Sequence, residues 1–317
     1  MSDWVPEEFA ACASRPVVGV TGPTATGKTR LAVALAREFG GEILSVDSRQ
    51  VYRGMDIGTG KDLSDYVVGD RKIPYHLIDI HDPGYEYNVY QFQGDFINAY
   101  NLIREHGNVP ILCGGTGFYI ESVVGGYKLP NAPVDEEYRR SLEPFTDEEL
   151  TARLASIIKL HNHTDTETRE RLVRALEIQE YSRQHPDDVV RMPEMTHLII
   201  GVSFPREQVI ERIGLRLRQR LDEGMVDEVQ RILDSGVSAE RLMKYGLEYR
   251  YVTKYILGEM SYNEMYEKLY TEIRRFSKRQ MTWFRHMERG GINIHWVDGQ
   301  RPLEDNIEEI VALYNQI

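Results

Sequence analysis

The chain has 317 residues, a length that suggests two domains, or one domain carrying a large insertion. Hydrophobic residues make up 41% and charged residues 28%, the balance of a soluble globular protein with enough apolar surface for a core. Fifty acidic against 38 basic side chains give a formal net charge of -12, which taken as a total argues against a polyanionic partner. Two cysteines, Cys12 and Cys113, build neither a disulfide framework nor a zinc site and fit a reducing, cytoplasmic setting. No apolar run is long enough for a membrane span, and Met1–Ala10, with Asp3, Glu7 and Glu8, does not read as a secretory signal.

In chain order, the first strong element is the β-rich run Pro16–Thr21. A helix over Lys28–Phe39 follows, with Leu31, Leu35 and Phe39 on one face and Gly40-Gly41 as its stop. Glu42–Val46 is the next predicted strand, so the opening is a β-α-β unit and implies a parallel sheet covered by helices. Further strands are expected at Tyr75–Ile80, Val109–Cys113 and Thr196–Val202, the last taken as the final core strand, with a helix from Val89 to His106. From Gly125 to Pro193 the pattern is polar, helical and punctuated by prolines, which reads as a helical insert. Long helices over Arg206–Glu223 and Asn263–Arg289 complete the expectation.

Between the first strand and the first helix, Gly22-Pro23-Thr24-Ala25-Thr26-Gly27-Lys28-Thr29 matches G-x-x-x-x-G-K-[ST] in full. Glycines let successive backbone N–H groups turn toward a phosphate, the helix N-terminus adds positive potential, and Lys28 adds a full charge. Thr29 is placed to hold Mg²⁺. The loop implies a diphosphate or triphosphate without specifying a nucleotide. Asp47 ends the second strand, taken here to lie beside the phosphate-loop strand, and faces the crevice where such folds bind ligands. There it could bind a metal or act as a general base on an amine or hydroxyl.

Six stretches in order resemble the tRNA dimethylallyltransferase family: Gly22–Thr29, Asp47–Lys61, Ile73–Asp79, Gly114–Ile120, Arg174–Glu177 and Ser277–Arg285. The resemblance runs from about Val17 to Trp296, and rests on far more than the phosphate loop. It implies transfer of a dimethylallyl group from dimethylallyl diphosphate to the exocyclic N6 amine of the adenine just 3′ of the anticodon, with diphosphate leaving. An allylic diphosphate ionises readily once its leaving group is neutralised. The adenine amine must lose a proton as it is alkylated, and the resemblance makes Asp47 the base. Thr24 then helps hold the departing diphosphate with Gly22–Thr29. Arg212, Arg216 and Arg220 recur at four-residue spacing, and the family pattern selects Arg216 as the residue that reaches the diphosphate. For Arg212 and Arg220 a solvated basic face fits equally well.

By the same resemblance, Asp47, Ser48, Arg49 and Gln50 meet the target nucleotide, Thr116 lines its channel, and Arg171 and Arg174 contact the anticodon loop. The C-terminal helix carries Arg274, Arg275, Lys278, Arg279, Arg285 and Arg289 around Trp283 and Phe284, as phosphate contact plus packing requires. Both aromatic residues read as core. The family's Asn-Asp-Pro stretch is Glu167-Thr168-Arg169 here, and Lys244–Arg250 matches its Gly-Tyr pattern only loosely. His161, His163 and Asp165 read as a polar loop, not a metal cluster. Charge is local, so the net -12 leaves room for an RNA partner: acids gather at Asp135–Glu149 and Glu304–Glu309, away from the proposed groove.

The expectation is therefore an α/β, P-loop NTPase-like parallel sheet flanked by helices, with an inserted all-helical domain. Residues 1–14 form an extension, 15–126 and 194–317 the catalytic core, and 127–193 a tRNA-binding insert. Expected partners are a tRNA anticodon stem-loop and dimethylallyl diphosphate, with no membrane and no obligate protein partner. A transferase that prenylates free adenylate, a small-molecule kinase and a non-catalytic tRNA-binding paralogue each leave part of the ordered motifs unexplained.

Overall fold

The computed structural model describes residues 15–158, 166 and 168–317; Cys12, His161, His163, Asp165 and Glu167 lie outside the described residues. By its internal contacts the chain falls into two compact units, Lys128–Met192 being one and the flanking segments, ending at Tyr127 and resuming at Pro193, the other. Strand β1 (Val17–Thr21) is buried at every position, as a strand covered on both faces must be. Helix α1 (Lys28–Phe39) buries Leu31, Leu35 and Phe39 and is closed by Gly40, whose N–H donates to Ala36 O. Strand β2 (Gly41–Ser45) follows directly. The expected strand at Tyr75–Ile80 shrinks to β3 (Tyr75–His76), because Leu77 and Asp79 take left-handed backbone angles that end the ladder. Helix α2 (Val89–Glu105) starts at an Asn88–Gln91 capping box, and β4 (Val109–Cys113) and α3 (Gly117–Val124) come next.

The unit Lys128–Met192 contains α4 (Glu136–Leu142), α5 (Asp147–Ile157) and α6 (Arg169–Gln184). Leu142, Leu150, Leu154, Leu172 and Leu176 form its core. Beside them the buried carboxylate of Glu177 accepts from Arg139 at 2.9 and 3.0 Å and from the Asp135 N–H at 2.7 Å. This gives the Arg174–Glu177 stretch a structural purpose. A bridge between Pro130 and Val189 joins the two ends of the unit.

The first unit resumes with β5 (His197–Ser203), α7 (Arg206–Asp222), α8 (Met225–Asp234), α9 (Ala239–Met243), α10 (Leu247–Ile256) and the long α11 (Tyr262–Arg289). Then β6 (Ile294–Asp298) and α12 (Leu303–Tyr314) follow. The six strands pair in the order β3-β2-β4-β1-β5-β6, all parallel. Two expectations change here. The strand at Thr196–Val202 is not the last of the core, since β6 pairs with it through Ile199–Ser203. Nor does β2 lie beside β1, because β4 returns between them. The connection leaving β1 runs toward β2 and that leaving β4 toward β5, so a crevice opens between the carboxyl ends of β1 and β4. Among the described residues no helix is long and apolar enough to cross a membrane.

Candidate active site

The loop Gly22–Thr29 fills the turn from β1 into α1 at this crevice. Gly22 has φ 143°, and a Cβ there would sit 2.6 Å from the Val202 carbonyl oxygen of β5, so only glycine lets the loop lie this close to the sheet. Thr26 Oγ1 and Lys28 Nζ both donate to Pro23 O, at 2.8 and 2.7 Å, and fold the loop around its own carbonyl. The cap residue of α1 is Gly27, with no side chain to occupy the first-turn N–H groups, which leaves them for an anion. Burial lowers the Lys28 pKa to about 8, and the nearby Arg216 adds to the fall while Asp47 opposes it. Burial likewise pushes the Cys113 thiol up to about 11, so it is protonated at neutral pH.

Asp47 stands just past the end of β2. Its Oδ1 accepts from the Arg49 N–H at 3.0 Å, and Arg49 Nη1 reaches Glu248 of α10 at 2.7 Å. Burial disfavours the Arg49 charge, but Glu248 and Asp47 more than offset it and hold its pKa above the ordinary arginine range. Gln50 has both ends of its amide engaged, accepting from Ser45 Oγ at 2.8 Å and donating to Gly60 O at 3.3 Å. The loop beyond is held by the buried Glu228, which accepts from the N–H groups of Asp56, Ile57 and Gly58 at 2.8, 2.7 and 3.0 Å and from Tyr249 OH at 2.8 Å. Lys61, fully buried, donates to Tyr52 O at 2.6 Å and to the carboxylates of Asp56 and Asp79. These ties carry the Thr59–Asp62 segment to the edge of the crevice.

Two helices close the far side. On α7, Arg212 Nε donates to Ala25 O at 2.7 Å, and Arg216 ion-pairs with Asp62. On α11, the buried Gln280 accepts from Thr24 N at 2.9 Å and donates to Gly115 O at 2.9 Å, tying the phosphate loop to the segment after β4. The result is a cavity of about 360 Å³ lined by Thr24, Ala25, Gly27, Lys28, Thr29, Asp47, Arg49, Gln50, Arg216 and Gln280 among others.

A family model described as IPP transferase matches residues 50–287, and one described as Isopentenyl transferase matches residues 16–80. A protein named tRNA dimethylallyltransferase 2 from Phocaeicola vulgatus is 54% identical over 297 residues, 94% of this chain and 97% of that one. A tRNA dimethylallyltransferase 1 from Geotalea daltonii is 52% identical over 281 residues, 88% and 90% of the two chains. The chain belongs to the IPP transferase family. It is a prenyl-transferring enzyme. The crystal structure of a full-length tRNA isopentenylpyrophosphate transferase from Bacillus halodurans superposes with a TM-score of 0.67 at 32% identity, over 95% of each chain. A eukaryotic dimethylallyltransferase, at 22% identity and TM-score 0.69 over 90% of this chain and 74% of that one, shares the fold. The P-loop NTPase-like parallel sheet flanked by helices is thus the family's architecture.

Within this IPP transferase, Gly22, Pro23 and Thr26 shape the loop without lining the cavity, and the other residues singled out from sequence fall into four groups. Thr24, Ala25, Gly27, Lys28, Thr29, Asp47, Arg49, Gln50 and Arg216 line the cavity. Ser48 and Thr116, both half-buried, do not line it but join each other, the Ser48 N–H donating to Thr116 Oγ1 at 3.4 Å. Lys278 and Arg279 are exposed on α11, whose face Arg274, Lys278, Arg285 and Arg289 share by helical spacing. Phe284 is core as expected, while Trp283 is half-buried and packs edge-on to Phe118. Arg171 and Arg174 belong to the Lys128–Met192 unit; Arg171 is exposed, and Arg174 donates to Ala132 O at 2.7 Å, Pro133 O at 3.3 Å and Glu177. Sequence reasoning passed over Gln280 and read Arg220 as equally well a solvated residue. Arg220 is buried on the apolar stripe of α7 with Val209, Ile213 and Leu217, and Gln280 on that of α11 with Ile273, Ser277 and Phe284. A polar residue at a buried helical position was the available signal.

Proposed function

We propose that this enzyme transfers the dimethylallyl group of dimethylallyl diphosphate to the exocyclic N6 amine of the adenine immediately 3′ of the anticodon in tRNA, releasing diphosphate. The observation that carries the reading is that Thr24, Lys28, Asp47 and Arg216, from three distant parts of the chain, line one cavity. Loop N–H groups, the start of α1 and Lys28 hold the diphosphate, and Arg216 meets it from the opposite wall. As the bond from the allylic carbon to the diphosphate oxygen breaks, these groups take up the charge that develops. The adenine amine forms the new carbon–nitrogen bond and gives its proton to Asp47, whose Oδ1 is held by the Arg49 N–H at 3.0 Å.

The residues present fit Mg²⁺. Thr29 and Asp47 offer hard oxygen donors on the cavity wall, and among the described residues no cluster of three His, Cys, Asp or Glu forms a cage of its own. That donor set suits an ion taking most of its ligands from phosphate oxygens and water. Thr29 would hold it, and it would add positive charge at the departing diphosphate.

The target base leaves its stack to enter the site, with Ser48, Arg49, Gln50 and Thr116 along its path. The anticodon stem-loop meets the exposed cations of α11, Lys278 and Arg279 among them, and Arg171 and Arg174 of the helical insert. Arg174, already braced by three protein acceptors, presents a pre-ordered guanidinium. The reaction belongs to the cytoplasm and calls on no obligate protein partner.

The test is incubation with labelled dimethylallyl diphosphate and either an anticodon stem-loop or free AMP. Label in the stem-loop is expected. Label in AMP alone would overturn the reading and favour the adenylate-prenylating alternative.

A further inference from the structure

Three guanidinium groups of α7, those of Arg212, Arg216 and Arg220, line the cavity, and Arg212 already donates to Ala25 O at 2.7 Å. Arg216 ion-pairs with Asp62, and Arg220 Nη2 lies 4.0 Å from the same carboxylate. Arg220 is only 9% exposed, on an apolar helix stripe where a cation is costly unless an anion meets it. Asp62 is shared between the guanidinium groups of Arg216 and Arg220, and Glu248, the other carboxylate that acts on Arg220, is already paired to Arg49 at 2.7 Å, so Arg220 has no carboxylate to itself. Burial, and after it Arg216, pushes the Arg220 pKa down to about 10.

The surrounding backbone makes room for this pair. Gly60 has φ 66°, and a Cβ there would run into the Arg220 guanidinium and come within 2.9 Å of Arg216 Nη2. Asp62 begins the 3₁₀ turn Leu63–Tyr66 with φ 45° and makes no side-chain cap bond, so its carboxylate is not tied to its own turn. Asp62, Arg216 and Arg220 border both the phosphate-loop cavity and a second cavity of about 530 Å³, which leaves a displaced carboxylate somewhere to go.

We propose that Arg220 is a second diphosphate-binding residue, and that Asp62 is a built-in stand-in for the diphosphate, holding Arg216 and Arg220 until the substrate displaces it. The inference rests on the diphosphate reading of the cavity. Diphosphate brings more negative charge to the two arginines than a single carboxylate can, and so neutralises the buried Arg220 and the half-buried Arg216 more fully. When the product leaves, Asp62 returns and competes against its rebinding.

The test is calorimetric titration of inorganic pyrophosphate into the full chain and four variants: Lys28→Ala, Arg220→Gln, Arg220→Lys and Asp62→Asn. Arg220→Gln is expected to bind about tenfold more weakly, with part of the loss recovered in Arg220→Lys. Asp62→Asn is expected to bind about threefold more tightly, since a competitor for the arginines is gone. Asparagine tolerates the left-handed backbone at this position, so this variant keeps the test alive if Arg220→Gln melts early. A purely structural ion pair predicts the opposite sign for Asp62→Asn. Unchanged affinity in Arg220→Gln, or weaker binding in Asp62→Asn, overturns the proposal while weak binding by Lys28→Ala still upholds the diphosphate site. If Lys28→Ala binds as well as the unaltered chain, the diphosphate reading itself fails and the proposal falls with it.

Discussion

Lys28 holds its charge in a place that disfavours it, and an arriving anion reverses the balance. With the pKa lowered to about 8 by burial, the lysine begins to lose its proton as pH rises past that value. Diphosphate stabilises the ammonium form, so binding above that pH must take up a proton and weakens as pH rises. Pyrophosphate titrations from about pH 7 to 10, in buffers of differing ionisation enthalpy, should show that uptake. It should be missing in Lys28→Met, which binds weakly throughout. Asp47→Ala is expected to lower prenyl transfer by at least about a hundredfold while leaving tRNA affinity largely intact. Parallel assays of labelled-prenyl incorporation and stem-loop binding check this, and full activity would remove Asp47 as the base. Both residues were legible in the sequence, Lys28 because it closes a full phosphate-loop pattern at a helix start and Asp47 because it follows a strand's end. Gln280 and Arg220 were not, because what they do depends on partners such as Thr24 and Asp62, 256 and 158 residues away by the distance of their numbers.

Helix α11 performs two tasks on two faces. Met265, Leu269, Ile273, Phe284 and Met287 bury one side, and Gln280 on that side reaches the phosphate loop. The other side carries the exposed cations, with Arg279 stacked 5.9 Å from the Phe276 ring and Arg275 paired to Glu272. Arg279→Ala is expected to weaken stem-loop binding and to lower the slope of log K against log salt by roughly 0.7 to 0.9; an unchanged slope would take Arg279 off the RNA surface. The helix was plain from its periodicity. Strand β6 was less so, since Ile294–Asp298 follows a helix end and is short, although the alternation Ile292, Ile294, Trp296 hinted at it. Strand order lay beyond local pattern altogether: that β4 separates β1 from β2 follows from how the crossovers pack, not from any one segment's composition.

At the scale of the molecule, the catalytic unit is assembled from pieces far apart in the chain. Glu228 of α8 holds three consecutive N–H groups of the Asp56–Gly58 turn and the Tyr249 hydroxyl, all within its carboxylate. Glu228→Ala strands those donors and should cost roughly 3 kcal/mol or more, read as a lower denaturant midpoint with an unchanged m-value. The same dispersal sets a timetable for biosynthesis. The phosphate loop emerges from the ribosome early, yet its Thr24 N–H waits for an acceptor on Gln280, 256 residues later. At translation speeds of about 5–20 residues per second, that interval is on the order of tens of seconds. During it, the nascent chain holds β1, α1 and β4 without the helices that carry Arg216 and Gln280. On the proposed function, a half-made enzyme therefore cannot grip diphosphate from both sides, and competence arrives only as the last fifth of the chain is made.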